Sequence, residues 1–154
     1  MSVVLFVLIY KLDCIECMAC SDNVVRAGLT PKYKDVPTLC EMLNYRCATP
    51  SENMFLCHTD STDEFISIYD PPVDDFAVHS IRVPKTISSY KIRALPGPSI
   101  FLVVHGHAEG SVEGEDDCMN LRRGSVVFLA ADHNYSLRAA DNDEDLFIMR
   151  AYCI

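Results

Sequence analysis

From residue 65 onward the chain breaks into short apolar-rich runs, several with apolar and polar residues alternating, bounded by turn formers. The runs are 65–69 (FISIY), 76–83, 90–95, 100–104, 126–129, 135–139 and 146–153. Within 90–95, Tyr90, Ile92 and Ala94 fall on one side and Lys91, Arg93 and Leu95 on the other. A period of two sends successive side chains to opposite faces, so each run predicts a β-strand with one buried face. Pro71-Pro72, Pro84, Pro96-Gly97-Pro98, Gly106, Gly110, Gly124 and the acidic stretch 141–145 punctuate the runs. At least seven short strands with no helical pattern among them predict an antiparallel sandwich or barrel.

The chain before residue 65 follows other rules. Residues 3–10 form a continuous apolar run that predicts a buried strand. No basic residue precedes it and no small-residue cleavage site follows, so it does not read as a secretory signal. Its length is also far short of a bilayer span. Residues 36–45 (VPTLCEMLNY) predict a short helix, with Asp35 as N-cap, Pro37 in the first turn, and Leu39, Met42 and Leu43 on one face. Residues 46–64, with Pro50, Ser51, Asn53, Thr59, Ser61 and Thr62, read as a linker or long loop. The expected organisation is therefore 1–45, a linker at 46–64, and a β-domain at 65–154.

Composition supports a globular chain: 154 residues, 49% of them apolar and 23% charged. The formal net charge is −9. A nucleic-acid or anionic membrane surface needs a basic face, so neither partner is expected. The charge is uneven, however. Residues 1–50 carry five basic and five acidic groups and are neutral, so the whole excess lies in 51–154. Arg26, Lys32 and Lys34 cluster in the neutral part, where a small anion would bind. Eight cysteines without a signal sequence predict mostly reduced thiols and a cytoplasmic location.

Three constellations invite metal chemistry. Cys14, Cys17 and Cys20 form C-x-x-C-x-x-C, but no second cysteine or histidine pair supplies a fourth ligand. On a strand, Cys17 would also face away from Cys14 and Cys20, which favours incidental thiols. His105-Gly106-His107 resembles a cupin H-x-H pair, with Gly97 at the expected spacing before it. The partner acid fits poorly, since Glu109 comes early and Glu113 late. The segment from Gly124 places Ala130, Asp132 and Tyr135 where that motif has Pro, Gly and His. Two polar positions at a strand end is the plainer reading, with His133 kept as a candidate third ligand. The acidic stretches 113–117 and 141–145 read as solvated loop tips. Calcium is the alternative there, although neither matches an EF-hand loop. No phosphate loop, nucleophile elbow or dinucleotide fingerprint occurs.

One stretch is more specific. ECMACSDNVVRAGLTPK (residues 16–32) resembles the signature of the zinc-dependent type I mannose-6-phosphate isomerases, near the end of their catalytic domain. The likeness extends over 13–45, through YDPPVDDF (69–76) and past LRRG (121–124) into the last run, 146–153. It covers nearly all of the chain after residue 12, corresponding to the last third of a full-length member.

The resemblance implies jelly-roll cupin architecture: a mainly β, antiparallel jelly-roll sandwich at 65–154, preceded at 1–45 by a short helix and a remnant of the catalytic cupin. It also implies interconversion of mannose 6-phosphate and fructose 6-phosphate, in mannose and GDP-mannose metabolism. Proton abstraction beside a carbonyl needs a base, a Lewis acid or cation for the developing oxyanion, and a seat for the phosphate. By position, Arg26 matches the catalytic arginine beside the substrate. Lys32 matches the lysine that holds the anion, and Asp22 and Glu16 match polar residues lining the pocket. The family's zinc, by contrast, uses Gln, His and Glu ligands from upstream and a His at the position of Val7. Residues 1–12 do not resemble the family. The expectation is a chain that binds no zinc and is inactive alone, with a tendency to associate through an exposed half-barrel. The alternatives are a non-catalytic sugar-phosphate or partner-binding module, and a metal site recruited from His105, His107 and His133.

Overall fold

A computed structural model describes residues 14–18, 25–45, 47–138 and 144–154. Two compact units result, Met1–Met54 and Phe55–Ile154.

In the first unit the helix forms as its sequence dictates. Helix α1 spans Val36–Met42, with Pro37 in its first turn. The Asp35 carboxylate accepts from the Thr38 backbone N–H at 3.2 Å and from its hydroxyl at 2.8 Å. This satisfies one of the donors a helix start leaves unpaired. The helix ends at Met42 rather than 45, because Leu43 turns to extended backbone. None of its residues is buried, nor is any other described residue before Phe55. Residues 14–18 form no strand, so the alternation argument against convergence of Cys14 and Cys17 does not apply there; Cys20 and the run 3–10 lie outside the described residues. A one-turn 3-10 helix at Pro50–Asn53 closes the unit, capped by reciprocal Thr49–Glu52 bonds.

Among its described residues the second unit is an antiparallel β-sandwich of ten strands. They are β1 (His58–Thr59), β2 (Ile66–Tyr69), β3 (Phe76–Val83), β4 (Ser89–Ile92), β5 (Ser99–His105), β6 (His107–Val112), β7 (Met119–Arg122), β8 (Val126–Leu129), β9 (Tyr135–Arg138) and β10 (Leu146–Cys153). One sheet has the order β1-β2-β3-β10-β5-β8 and the other β4-β9-β6-β7. All seven expected strands form, within a few residues of their expected ends. Three more appear that the pattern did not reveal: β1, β6 and β7.

Inward residues of both sheets make one core. Ile81 and Val83 (β3), Ile148 (β10), Phe101 and Val103 (β5) and Leu129 (β8) meet Ile92 (β4), Tyr135 and Leu137 (β9), Ala108 (β6) and Leu121 (β7). Phe101 and Tyr135 lie edge to face, ring centroids 5.2 Å apart. Gly110, expected in a turn, sits inside β6 instead. A Cβ there would collide with the Tyr135 ring, so the absent side chain makes room for the aromatic one. Among the described residues no helix is long and apolar enough to cross a membrane.

Candidate functional site

The residues singled out from sequence occupy the first unit. Arg26 is half-buried, whereas Glu16 and Lys32 are exposed. The segment from Arg26 to α1 is a succession of bends. Gly28 has positive φ (73°), and its carbonyl accepts from the Lys34 ammonium at 3.3 Å. The Lys32 backbone N–H donates to Thr30 Oγ1 at 3.2 Å. Lys32 and Lys34 are thus held by local turn hydrogen bonds ahead of the helix. Among the described residues no hydrogen bond or ion pair joins Arg26, Lys32 and Glu16 to one another. Asp22 lies outside the described residues.

His105 and His107 do not share a strand face. His105 ends β5, His107 begins β6, and Gly106, at φ 82°, turns the chain between them. Both rings nevertheless reach one carboxylate: His105 Nε2 is 3.1 Å from Glu144 Oε2 and His107 Nδ1 is 3.3 Å from Glu144 Oε1. Glu144 is the acid that motif spacing missed, because it comes from the entry to β10. One nitrogen of each imidazole thus meets a different oxygen of that carboxylate. His133 Nδ1 bonds the Ala131 carbonyl in its own turn, at 2.7 Å. Among the described residues no three His, Cys, Asp or Glu side chains are grouped to hold a metal ion.

Sequence reasoning missed a polar group inside the sandwich. Arg150 on β10 is 2% exposed and His79, its register partner on β3, is 6% exposed. Both point inward at positions where alternation calls for an apolar residue, and that conflict was the available signal. Arg150 Nε donates to Ser99 Oγ at 3.0 Å and its guanidinium to the Arg93 carbonyl at 2.7 Å. It therefore ties β10 to the start of β5 and to the segment after β4. Burial lowers its pKa to about 10. Tyr152 packs edge to face on His79, centroids 4.6 Å apart. Nearby, the Tyr90 hydroxyl donates to Asp63 at 2.8 Å, and burial together with that carboxylate raises its pKa. Arg93 pairs with Asp60 at 3.2 Å and also reaches the Thr62 hydroxyl. Bonds from Thr62, reinforced by Arg93, bring the Asp60 pKa down to about 2.

His79 makes a pH prediction. Burial, then the Arg150 charge, lowers its pKa to about 4, and among the described residues its Nδ1 has no hydrogen-bond partner. The ordinary value is about 6.5, so folding favours the neutral ring. That contribution is complete above about pH 6.5 and is lost as pH falls to about 4, costing on the order of 2 kcal/mol. Asp60 acts in the same direction, but only below about pH 4. Denaturant unfolding between pH 7 and 4.5 should show the His79 loss, and His79→Phe should flatten it; an equal slope in the variant rules out this origin.

The family model for the phosphomannose isomerase type I C-terminal region matches residues 67–113. Mannose-6-phosphate isomerase from Macaca fascicularis is 48% identical over 144 residues, 94% of this chain and 34% of that protein. The Homo sapiens protein is 46% identical with the same coverage. A variant phosphomannose isomerase structure from Salmonella typhimurium superposes with a TM-score of 0.67 at 27% identity, covering 88% of this chain and 32% of that one. The chain spans about a third of the length of the curated relatives it matches. In sequence and in fold, this chain matches the C-terminal third of the type I mannose-6-phosphate isomerases.

Proposed function

We propose that this chain is the C-terminal part of a cytoplasmic mannose-6-phosphate isomerase and has no isomerase activity by itself. What carries the proposal is 48% identity spread over 94% of the chain, against a third of the relative. On this reading residues 1–45 are the end of the catalytic cupin, 46–64 a linker and 65–154 the C-terminal jelly roll. Arg26 faces the reacting end of the substrate, where a fixed guanidinium stabilises negative charge developing on oxygen. Lys32 supplies a point charge for the phosphate, and Glu16 and Asp22 hydrogen-bond sugar hydroxyls. In the family, zinc supplies a Lewis acid for the carbonyl; its Gln, His and Glu ligands belong to a region not represented in this chain.

The exposure of Lys32, with Arg26 unpaired to Glu16, also supports binding of a sugar phosphate without turnover. A coupled assay of the purified chain with mannose 6-phosphate, with and without zinc, tests the main reading. No turnover above background is expected in either case. Zinc-dependent turnover would mean that residues of this chain rebuild a metal site, and the proposal would fall. A thermal shift with millimolar mannose 6-phosphate, lost in Arg26→Ala and Lys32→Ala, would establish the binding role, because a ligand selective for the folded state must stabilise it.

A further inference from the structure

We propose that the free edge of β8 pairs with β8 of a second copy of this chain, forming a weak two-fold dimer. β8 is the last strand of the larger sheet, and β5 is its only strand partner among the described residues. A strand in that position presents one unpaired row of N–H and C=O groups. Its four residues, VVFL, are all apolar. Val127 and Leu129 face the core, while Val126 and Phe128 point outward at 61% and 66% exposure. Ile100, opposite Phe128 on β5, is 51% exposed and extends the apolar strip.

Edge strands are usually protected by brevity, proline, a bulge or an exposed charge. The other three edges have such protection or polar cover. β1 has two residues, β4 carries Lys91 and β7 carries Arg122 and Asn120. β8 has no charge or proline, and its register with β5 runs without a bulge.

A second copy suits this edge for two reasons. An identical strand, related by a two-fold axis, offers the same row of donors and acceptors in antiparallel order and the same outward apolar pair. The ends of β8 also differ in charge. Exposed Arg122 lies one turn before it, where the Arg122 carbonyl accepts from Ser125 N–H at 2.8 Å, and exposed Asp132 follows it. Antiparallel pairing sets the basic end of one strand beside the acidic end of the other. The interface is small and each copy carries a net charge of −9, so the association is weak.

Sedimentation of the full chain up to about 0.5 mM tests this, in the range where weak interfaces populate. The expected result is a reversible monomer–dimer equilibrium whose dissociation constant rises at least tenfold in Phe128→Lys and in Val126→Lys, with unchanged thermal melts. Met42→Lys, on the exposed surface of α1, should leave it unaltered. A chain that stays monomeric overturns the proposal. So does a dimer broken by Met42→Lys and unaffected at β8, which would assign association to the first unit. None of these outcomes depends on isomerase activity or sugar-phosphate binding.

Discussion

Gly106→Ala should destabilise the sandwich by about 3 kcal/mol or more, lowering the melting temperature by roughly 15 °C for a domain of about this size. Two costs add. At φ 82° an alanine occupies a region that costs a residue with a Cβ about 1 kcal/mol or more. That Cβ would then stand 2.6 Å from the Asp145 carbonyl oxygen and 3.0 Å from Leu146 Cα. Both atoms belong to the backbone entering β10, which cannot rotate away as a side-chain end can. The start of β10 must shift, and Glu144 beside it loses its placement between His105 and His107. Gly114→Ala separates the two terms. Gly114 also has positive φ (91°), but open space where a Cβ would lie, so only about 1 kcal/mol should be lost. Equal losses at the two glycines in thermal or urea unfolding would show that the close approach to β10 carries no cost.

Phe101→Ala should cost about 3–5 kcal/mol, enough to bring a domain of ordinary stability close to unfolding at room temperature. Phe101 is fully buried at the centre of β5, with Arg150 on one neighbouring strand and Val127 on the other in register. Its ring edge also supports Tyr135, which the absent side chain of Gly110 admits. Truncation leaves a void between strands that are held in place by their ladders, so the core cannot close over it. Phe128→Ala is the matched comparison: the same residue type, 66% exposed on the outer face of β8, where about 0.5 kcal/mol or less is expected in dilute solution. Urea midpoints for both variants, with m-values compared, distinguish the two positions.

The strands legible in the sequence are those whose inward positions carry large apolar residues. β3, β5 and β10 present Ile81, Val83, Phe101, Val103 and Ile148 to the core, and short apolar-rich runs between turn formers exposed them at once. β6 stayed hidden because its inward residues are the small Ala108 and Gly110, and Gly110 lacks a side chain where the Tyr135 ring of neighbouring β9 lies. A residue chosen to be small because of its neighbour leaves no hydrophobic period. β7 has one core residue, Leu121, in four, and β1 is too short to show a period. The start of α1 was legible for the opposite reason. Asp35, Pro37 and Thr38 act within one turn, so their chemistry needs nothing distant.

The polar groups divide in the same way. The basic residues near the start could be found from the placement of charge along the chain, since Arg26, Lys32 and Lys34 lie close together. Glu144 could not be found so. It reaches His105 and His107 only because β10 enters the sheet beside the Gly106 corner, a contact between residues nearly forty positions apart in sequence. Arg150 and His79 likewise meet only through the β3–β10 register. By itself the sequence determined the strand-rich class, the cap of α1, the basic cluster and the family, because each rests on residues adjacent in the chain or on signature residues in order. Tertiary structure alone decided which polar side chains are buried together and which strands lie at the sheet edges. Those properties follow from sheet order and register, which are set by packing across the whole domain.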